Sequence, residues 1–244
     1  MDAKRKTVMI TGATSGIGFQ LAQDYIDEGY HVIACGRNEE KLQQLQKLDP
    51  KATILSFNIS NKEEIHDKLS TLEFIPDLII LNAGVCEYIN DGQIDSDLIE
   101  RVHKVNFFAP VWIIEFFQKK DPLLNTHIAV VSSSATFIPF PRSEAYGSSK
   151  AALTYFINSL STEKLNSKLT VINPGFVKTE LTDKNDFNMP FLVNVDDASK
   201  FIIRKLKSSP QEISFPWRFM FILKLIRMLP IGLQIKFTKK LSKN

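Results

Sequence analysis

Apolar positions in the first half of the chain fall into two alternating patterns. Short, nearly unbroken apolar runs occur at Thr7–Ile10, His31–Cys35, Thr53–Phe57 and Leu78–Leu81. Between them, apolar residues recur at three- and four-residue spacing over Ile17–Glu28, Glu39–Leu48 and Lys62–Leu72. Runs of the first kind predict strands buried on both faces, and the second spacing predicts amphipathic helices. Strands joined through helices run parallel, with right-handed crossovers. The second half continues the alternation. It predicts a helix over Asp97–Lys120, a strand at His127–Val131, a helix over Glu144–Asn166 and a strand at Thr170–Ile172. The expected fold class is α/β, a doubly wound parallel sheet with helices on both faces. Without a repeat or an interdomain linker, one domain over residues 1–244 is the economical reading.

Two segments break the amphipathic rule. Val102, Val105, Phe107, Phe108, Val111, Trp112, Ile113, Ile114, Phe116 and Phe117 leave the second half of the Asp97–Lys120 helix almost no polar face. A helix apolar all round is covered all round, so the sheet takes one side and another subunit the other. The second segment is a C-terminal extension around 215–244. Phe215, Trp217, Phe219, Phe221, Ile222, Leu223, Leu225, Ile226, Met228 and Leu229 are interleaved there with Arg218, Lys224 and Arg227. Pro230 interrupts, and Ile231–Leu241 repeats the basic-apolar mixture. Such a segment is too charged to span a bilayer. It either covers a cleft or packs in an oligomer, or it lies in a membrane interface as a peripheral contact.

Composition adds exclusions. The chain has 244 residues, 44% of them hydrophobic and 23% charged, which is ordinary for a globular domain. A net charge of +3 without a compact Lys/Arg block argues against nucleic acid. Cys35 and Cys86 are too few for a disulfide framework and suit a reducing, cytoplasmic compartment. Met1–Lys6 lacks the shape of a signal peptide, and no apolar stretch reaches bilayer-spanning length. No metal is expected.

The candidate chemistry begins where the first strand ends. Thr11-Gly12-Ala13-Thr14-Ser15-Gly16-Ile17-Gly18 spaces its glycines G-x-x-x-G-x-G between a strand and a helix. Glycine lets backbone N–H groups approach a pyrophosphate, and the helix behind offers its positive end. A tight turn without a ligand is the plainer alternative. Further on, Tyr146 and Lys150 stand four residues apart, on one face of a predicted helix. A nearby ammonium favours the phenolate and should lower the tyrosine pKa, fitting Tyr146 for proton transfer with an alkoxide or alcohol. Ser133, thirteen residues before Tyr146 and just past a strand, suits a hydrogen bond to an oxygen that develops charge. Asn106, inside the apolar helix, must find hydrogen-bond partners. Each feature has an ordinary reading: a chance Tyr-Lys pair, a strand end, a helix kink.

Their order along the chain is similar to that of the short-chain dehydrogenase/reductase (SDR) family. The matching residues are Thr11–Gly18, Asn82-Ala83-Gly84, Asn106, Ser133, Tyr146 with Lys150, and Pro174-Gly175, covering roughly residues 6–180. The resemblance implies a single Rossmann-type domain of about seven strands. It implies an NAD(P)-dependent oxidoreductase acting on CH–OH groups, with Asn106, Ser133, Tyr146 and Lys150 as its catalytic tetrad. By the same resemblance Lys150 also binds the nicotinamide ribose and Asn106 helps hold a water in a proton relay. Gly12, Thr14, Ser15, Gly16, Ile17 and Gly18 would cradle phosphate. Asn58 and Ile59 would border adenine, Asn82, Ala83 and Gly84 would line the adenosine ribose side, and Pro174, Gly175 and Thr179 would bracket the nicotinamide. Dimers or tetramers joined through two long helices are implied as well. Departures are Leu81 before Asn82, Thr136 where a glycine often follows the catalytic serine, and Asn58 for a usual Asp.

The end of the second strand bears on cofactor choice. A carboxylate there selects NAD, but Gly36 occupies the position and Arg37 follows, suited to a 2′-phosphate. NADP is therefore expected in preference to NAD. The substrate side is apolar. Phe137, Ile138 and Phe140 lie between Ser133 and Tyr146, and Phe176 follows the Pro-Gly turn. Leu181–Val195, with Phe187, Met189, Phe191 and Leu192, should form a lid around 180–195. Ser133, Phe140, Tyr146 and Phe176 are the candidate substrate contacts, for an apolar small-molecule carbonyl or alcohol. Two other readings share most of these motifs: an NADP(H)-binding redox sensor or membrane-docked binding protein with little turnover, and a 3-oxoacyl-thioester reductase.

Overall fold

A computed structural model describes residues 5–183 and 189–241. The chain builds one parallel sheet from β1 (Thr7–Thr11), β2 (His31–Gly36), β3 (Thr53–Ser56), β4 (Leu78–Leu81), β5 (His127–Val131), β6 (Lys168–Pro174) and β7 (Glu212–Phe215). Their order across the sheet is β3-β2-β1-β4-β5-β6-β7, so the winding reverses between β1 and β4. In such a sheet the crevice at the strands' carboxyl ends, at the reversal, is where ligands bind.

Alternation along each strand feeds two cores. Val8 and Ile10 point to one face of the sheet and Met9 to the other. The first face is covered by α1 (Gly16–Asp27), α2 (Glu39–Leu48) and α7 (Val195–Leu206); the second by α3 (Lys62–Ser70), α5 (Ala109–Lys120) and α6 (Glu144–Leu160). Asn38 and Asn61 start α2 and α3 by accepting first-turn N–H bonds, as N-caps do. α4 (Ser96–His103) instead packs Leu98 and Val102 with Ile89 and Ala145 in a separate cluster.

Several boundaries differ from expectation. The Asp97–Lys120 helix is broken: α4 ends at His103 and a π-helical turn, Lys104–Phe108, precedes α5. Pro110 explains the break, because it cannot donate the bond that an α-helix would send to the Asn106 carbonyl. α6 stops at Leu160 rather than Asn166, where the Ser161 and Thr162 hydroxyls donate to the carbonyls of Ile157 and Ser159. β6 is longer than Thr170–Ile172. β7 and α7 are additional, and Val195 opens α7 rather than closing a lid. Beyond β7 the chain forms α8 (Trp217–Arg227) and α9 (Ile231–Leu241), separated at Pro230 as expected. No helix among the described residues is long and apolar enough to cross a membrane.

Candidate active site

One cleft of about 1050 Å³ runs along the carboxyl ends of the strands. Its nucleotide-type end is lined by Gly12, Thr14, Ser15, Gly16, Ile17, Arg37, Asn58, Ile59, Asn82, Ala83 and Gly84. Its other end holds Ser133, Phe140, Tyr146, Lys150, Pro174, Gly175, Phe176 and Thr179. Two expected site residues stand outside the lining. Gly18 and Asn106 both lie behind the cleft wall.

The first end is made by close backbone approach. Gly12 has φ +67°, and a Cβ there would fall 2.9 Å from the Ala83 Cα. Gly18 is needed for packing: its Cβ would sit 2.3 Å from the Gly12 carbonyl oxygen. Asn82 ties the two loops together, donating from Nδ2 to the Thr11 carbonyl at 3.0 Å. α1 begins at Gly16 with Ser15 before it, so its positive end faces the cleft. This cradle fits a dinucleotide pyrophosphate. At the end of β2, a Cβ on Gly36 would meet the Thr14 Cγ2 at 2.4 Å, so a larger side chain there requires Thr14 to turn away. Arg37 is exposed beside it on the cleft wall. The Asn58 Oδ1 is engaged locally, accepting from the Ser60 N–H and hydroxyl.

The reacting end is carried by α6 and the segment after β5. Tyr146 and Ser133 line the same end of the cleft, with the Ser133 hydroxyl near enough to favour the Tyr146 phenolate. The flanking serines are used otherwise. Ser132 pairs with the Thr154 hydroxyl at 2.6 Å, pinning β5 to α6, and Ser134 is buried in the short 3-10 turn Ser134–Thr136. The Ser133 Oγ also accepts from the Ala135 N–H at 3.1 Å, and the Thr136 hydroxyl donates to the Ser133 carbonyl. Lys150 is only 3% exposed; its Nζ donates to the Val131 carbonyl at 2.7 Å and lies 5.9 Å from the Tyr146 ring centre. Burial lowers the Lys150 pKa to about 8. Burial also raises Tyr146, to about 12, with the Ser133 hydroxyl pulling the other way. The expected lowering of Tyr146 by Lys150 is thus not realised in the protein alone, because desolvation dominates and the ammonium is turned to Val131.

Asn106 sits in the π turn, fully buried. Its Oδ1 accepts from the Val85 N–H at 2.9 Å, and its Nδ2 donates to the Val85 carbonyl and the Ser149 hydroxyl, both at 2.9 Å. It thereby fastens the loop after β4 to α6 and acts as a positioning residue. Gly84 lets these groups meet, since a Cβ there would lie 3.2 Å from the Lys150 Nζ.

Three further lining residues carry no functional signal in the sequence, whereas those from α8 belong to the extension expected to cover a cleft. Cys86, Tyr88 and Arg142 border the reacting end, with the Arg142 guanidinium 4.8 Å above the Tyr88 ring. Phe219, Ile222, Leu223, Ile226 and Phe237 bring α8 and α9 onto the same wall. Phe219, Leu223 and Ile226 pack with Phe137 and Ile138, and Phe140 and Phe176 rest against that cluster. The extension therefore covers the apolar end of the cleft. The two flanks of the segment expected as a lid are tied to each other, by the Lys178 N–H on the Val193 carbonyl and the Val193 N–H on the Phe176 carbonyl. Of its expected residues, Phe187 lies outside the described residues. Thr179 packs over Gly16, its methyl 3.1 Å from where a Cβ would stand.

A glycine cradle at the sheet's reversal point, opening onto a Ser-Tyr-Lys group, defines a dinucleotide-dependent oxidoreductase fold. The short chain dehydrogenase model matches residues 6–189, and the chain belongs to that family of oxidoreductases. An uncharacterized oxidoreductase of Myxococcus xanthus is 31% identical over 238 residues, 92% of this chain and 93% of its own. The 3-oxoacyl-(acyl-carrier-protein) reductase FabG of Rickettsia conorii is 33% identical over 189 residues, 75% of this chain and 78% of its own. Among solved structures, the closed form of a serine dehydrogenase complexed with NADP+ shares the fold. Its TM-score is 0.77 at 24% identity, covering 86% of this chain and 94% of that one.

Proposed function

We propose that the protein is an NADP(H)-dependent reductase or dehydrogenase that interconverts an apolar carbonyl compound and its alcohol. The observation that carries this reading is that Ser133, Tyr146 and, one turn along α6, Lys150 line the same cleft as the glycine cradle. The bound nicotinamide would supply or accept hydride. Ser133 orients the substrate oxygen and donates to it as charge develops. Tyr146, protonated at neutral pH, gives its proton to that oxygen in reduction and takes it back in oxidation. Lys150 adds positive charge beside it and, by the family resemblance, holds the nicotinamide ribose. Asn106 keeps the loop after β4 and α6 in register. Gly36 with Arg37 favours NADP over NAD, since a 2′-phosphate meets a guanidinium and no carboxylate stands there to bind a 2′-hydroxyl.

The likeness to FabG favours one narrower alternative, a 3-oxoacyl thioester as substrate. By the family resemblance we propose a homodimer or homotetramer, joined where Phe108 and Tyr155 are exposed on the π turn and α6, in the reducing, cytoplasmic compartment that two cysteines suit. The test is a panel of ketones, aldehydes, alcohols and acyl thioesters followed by NADPH absorbance. Tyr146→Phe should lower turnover by about 10²- to 10⁴-fold while leaving NADPH affinity unchanged. Parental turnover in that variant would refute the mechanism, and turnover confined to acyl thioesters would select the alternative.

A further inference from the structure

We propose that α8 and α9 form a docking surface for an anionic lipid bilayer, with the apolar end of the cleft opening onto it. α8 is apolar on two opposite sides. Phe219, Met220, Leu223 and Ile226 are buried, while Trp217, Phe221, Leu225 and Met228, spaced four, four and three apart, form an outer stripe. Trp217 is 70% and Met228 82% exposed. α9 is inverted: its buried positions are the polar Gln234 and Thr238, and its exposed ones include Leu233, Ile235 and Phe237. The Gln234 Nε2 donates to the carbonyls of Arg227 and Leu229, so this buried amide closes the end of α8. A helix that buries uncharged polar residues while exposing Leu233, Ile235 and Phe237 beside lysines is built for an amphipathic neighbour.

Charge identifies that neighbour. Arg218, Arg227 and Lys236 accompany the apolar residues, Lys224 being paired with Glu212 at 2.9 Å, and the sequence from 216 to 244 contains no Asp or Glu. Two such surfaces repel each other, which disfavours a second copy of the chain, whereas anionic headgroups are attracted. Trp and Phe beside Lys and Arg suit the headgroup boundary. Ile222 and Phe237 are each both exposed on this surface and part of the cleft lining, and Phe191 of the lid joins them. An apolar substrate held in the bilayer thus enters without crossing water. That last step rests on the reductase reading; the docking itself does not.

The experiment uses the full chain with Trp112→Phe, which leaves Trp217 as the sole tryptophan. Vesicles of phosphatidylcholine, with and without phosphatidylserine, are the probes. The protein should sediment with the anionic vesicles at low salt, shift the Trp217 emission to the blue, and release as salt rises. Adding Phe221→Ser and Leu225→Ser should weaken partitioning by about tenfold or more, with NADPH affinity unchanged. Absence of sedimentation with anionic vesicles overturns the proposal. So does a lipid-free, concentration-dependent blue shift that the serine pair abolishes, since the surface would then join two copies. Because neither readout depends on turnover, failure here is separable from failure of the proposed reaction.

Discussion

The two ends of the cleft are made of different materials. The nucleotide-type end is backbone: Gly12 and Gly18 each stand where a methyl group would strike a main-chain atom within 3 Å. The other end is side chain: Phe137, Ile138, Phe219, Leu223 and Ile226 come from segments about eighty residues apart and meet only in the fold. The first end tolerates almost no change because its shape is the main chain itself. The second can be recut one side chain at a time. Such a division suits a protein with one fixed cofactor and an adjustable substrate.

The largest expected effect tests the rigid end. Gly18→Ala should lower NADPH affinity by about 100-fold and cost roughly 1–3 kcal/mol of stability, because the clashing Gly12 oxygen belongs to the main chain. Calorimetric titration and a denaturant midpoint measure both, and near-parental affinity would show that the loop yields more than its packing implies. Arg37→Asp follows, with the NADPH/NADH preference falling by about tenfold or more; unchanged selectivity removes Arg37 from phosphate recognition. A pH profile sharpens the junction between the ends. Lys150 loses its charge as pH rises through about 8, while Tyr146, near 12, keeps its proton. The kcat/KM for reduction should therefore be flat below pH 8 and fall about tenfold per unit above it. Lys150→Arg should move that limb upward, and a limb that stays in place would assign it to another group. The smallest effect belongs to the adjustable end. Leu223→Ala should change KM several-fold for bulky apolar substrates and leave NADPH affinity alone; an equal loss for both ligands would mean the two ends are not separable.

The same division explains what the sequence disclosed. β1, β2, β4 and β5 are buried on both faces, so they read as continuous apolar runs. The glycine loop and the Tyr146–Lys150 spacing are local patterns and were readable as such. β7 was not, because it is a short edge strand whose Glu212 and Ser214 lie outside the core. α7 has a clear apolar stripe, yet its start at Val195 is separated by Asn194 alone from the apolar segment Phe191–Val193 and so reads as part of it. The wall formed by α8 showed its apolar content but not which side faces the cleft, since both sides are apolar. Cys86, Tyr88 and Arg142 stand in irregular segments, where periodicity says nothing about direction. Asn106 was recognised as a buried amide in need of partners, but the π turn around it became visible only with the coordinates.

That turn works as a phase shifter. In an unbroken α-helix, Leu98, Val102, Ala109, Ile113 and Phe117 would all fall on one stripe. The wider turn at Lys104–Phe108 rotates everything after it by about one residue, roughly 100°. Leu98 and Val102 then meet Ile89 and Ala145, while Ala109, Ile113 and Phe117 meet the sheet. One stretch of chain thus addresses two surfaces that a regular helix could not reach together, and Asn106 sits at the swivel.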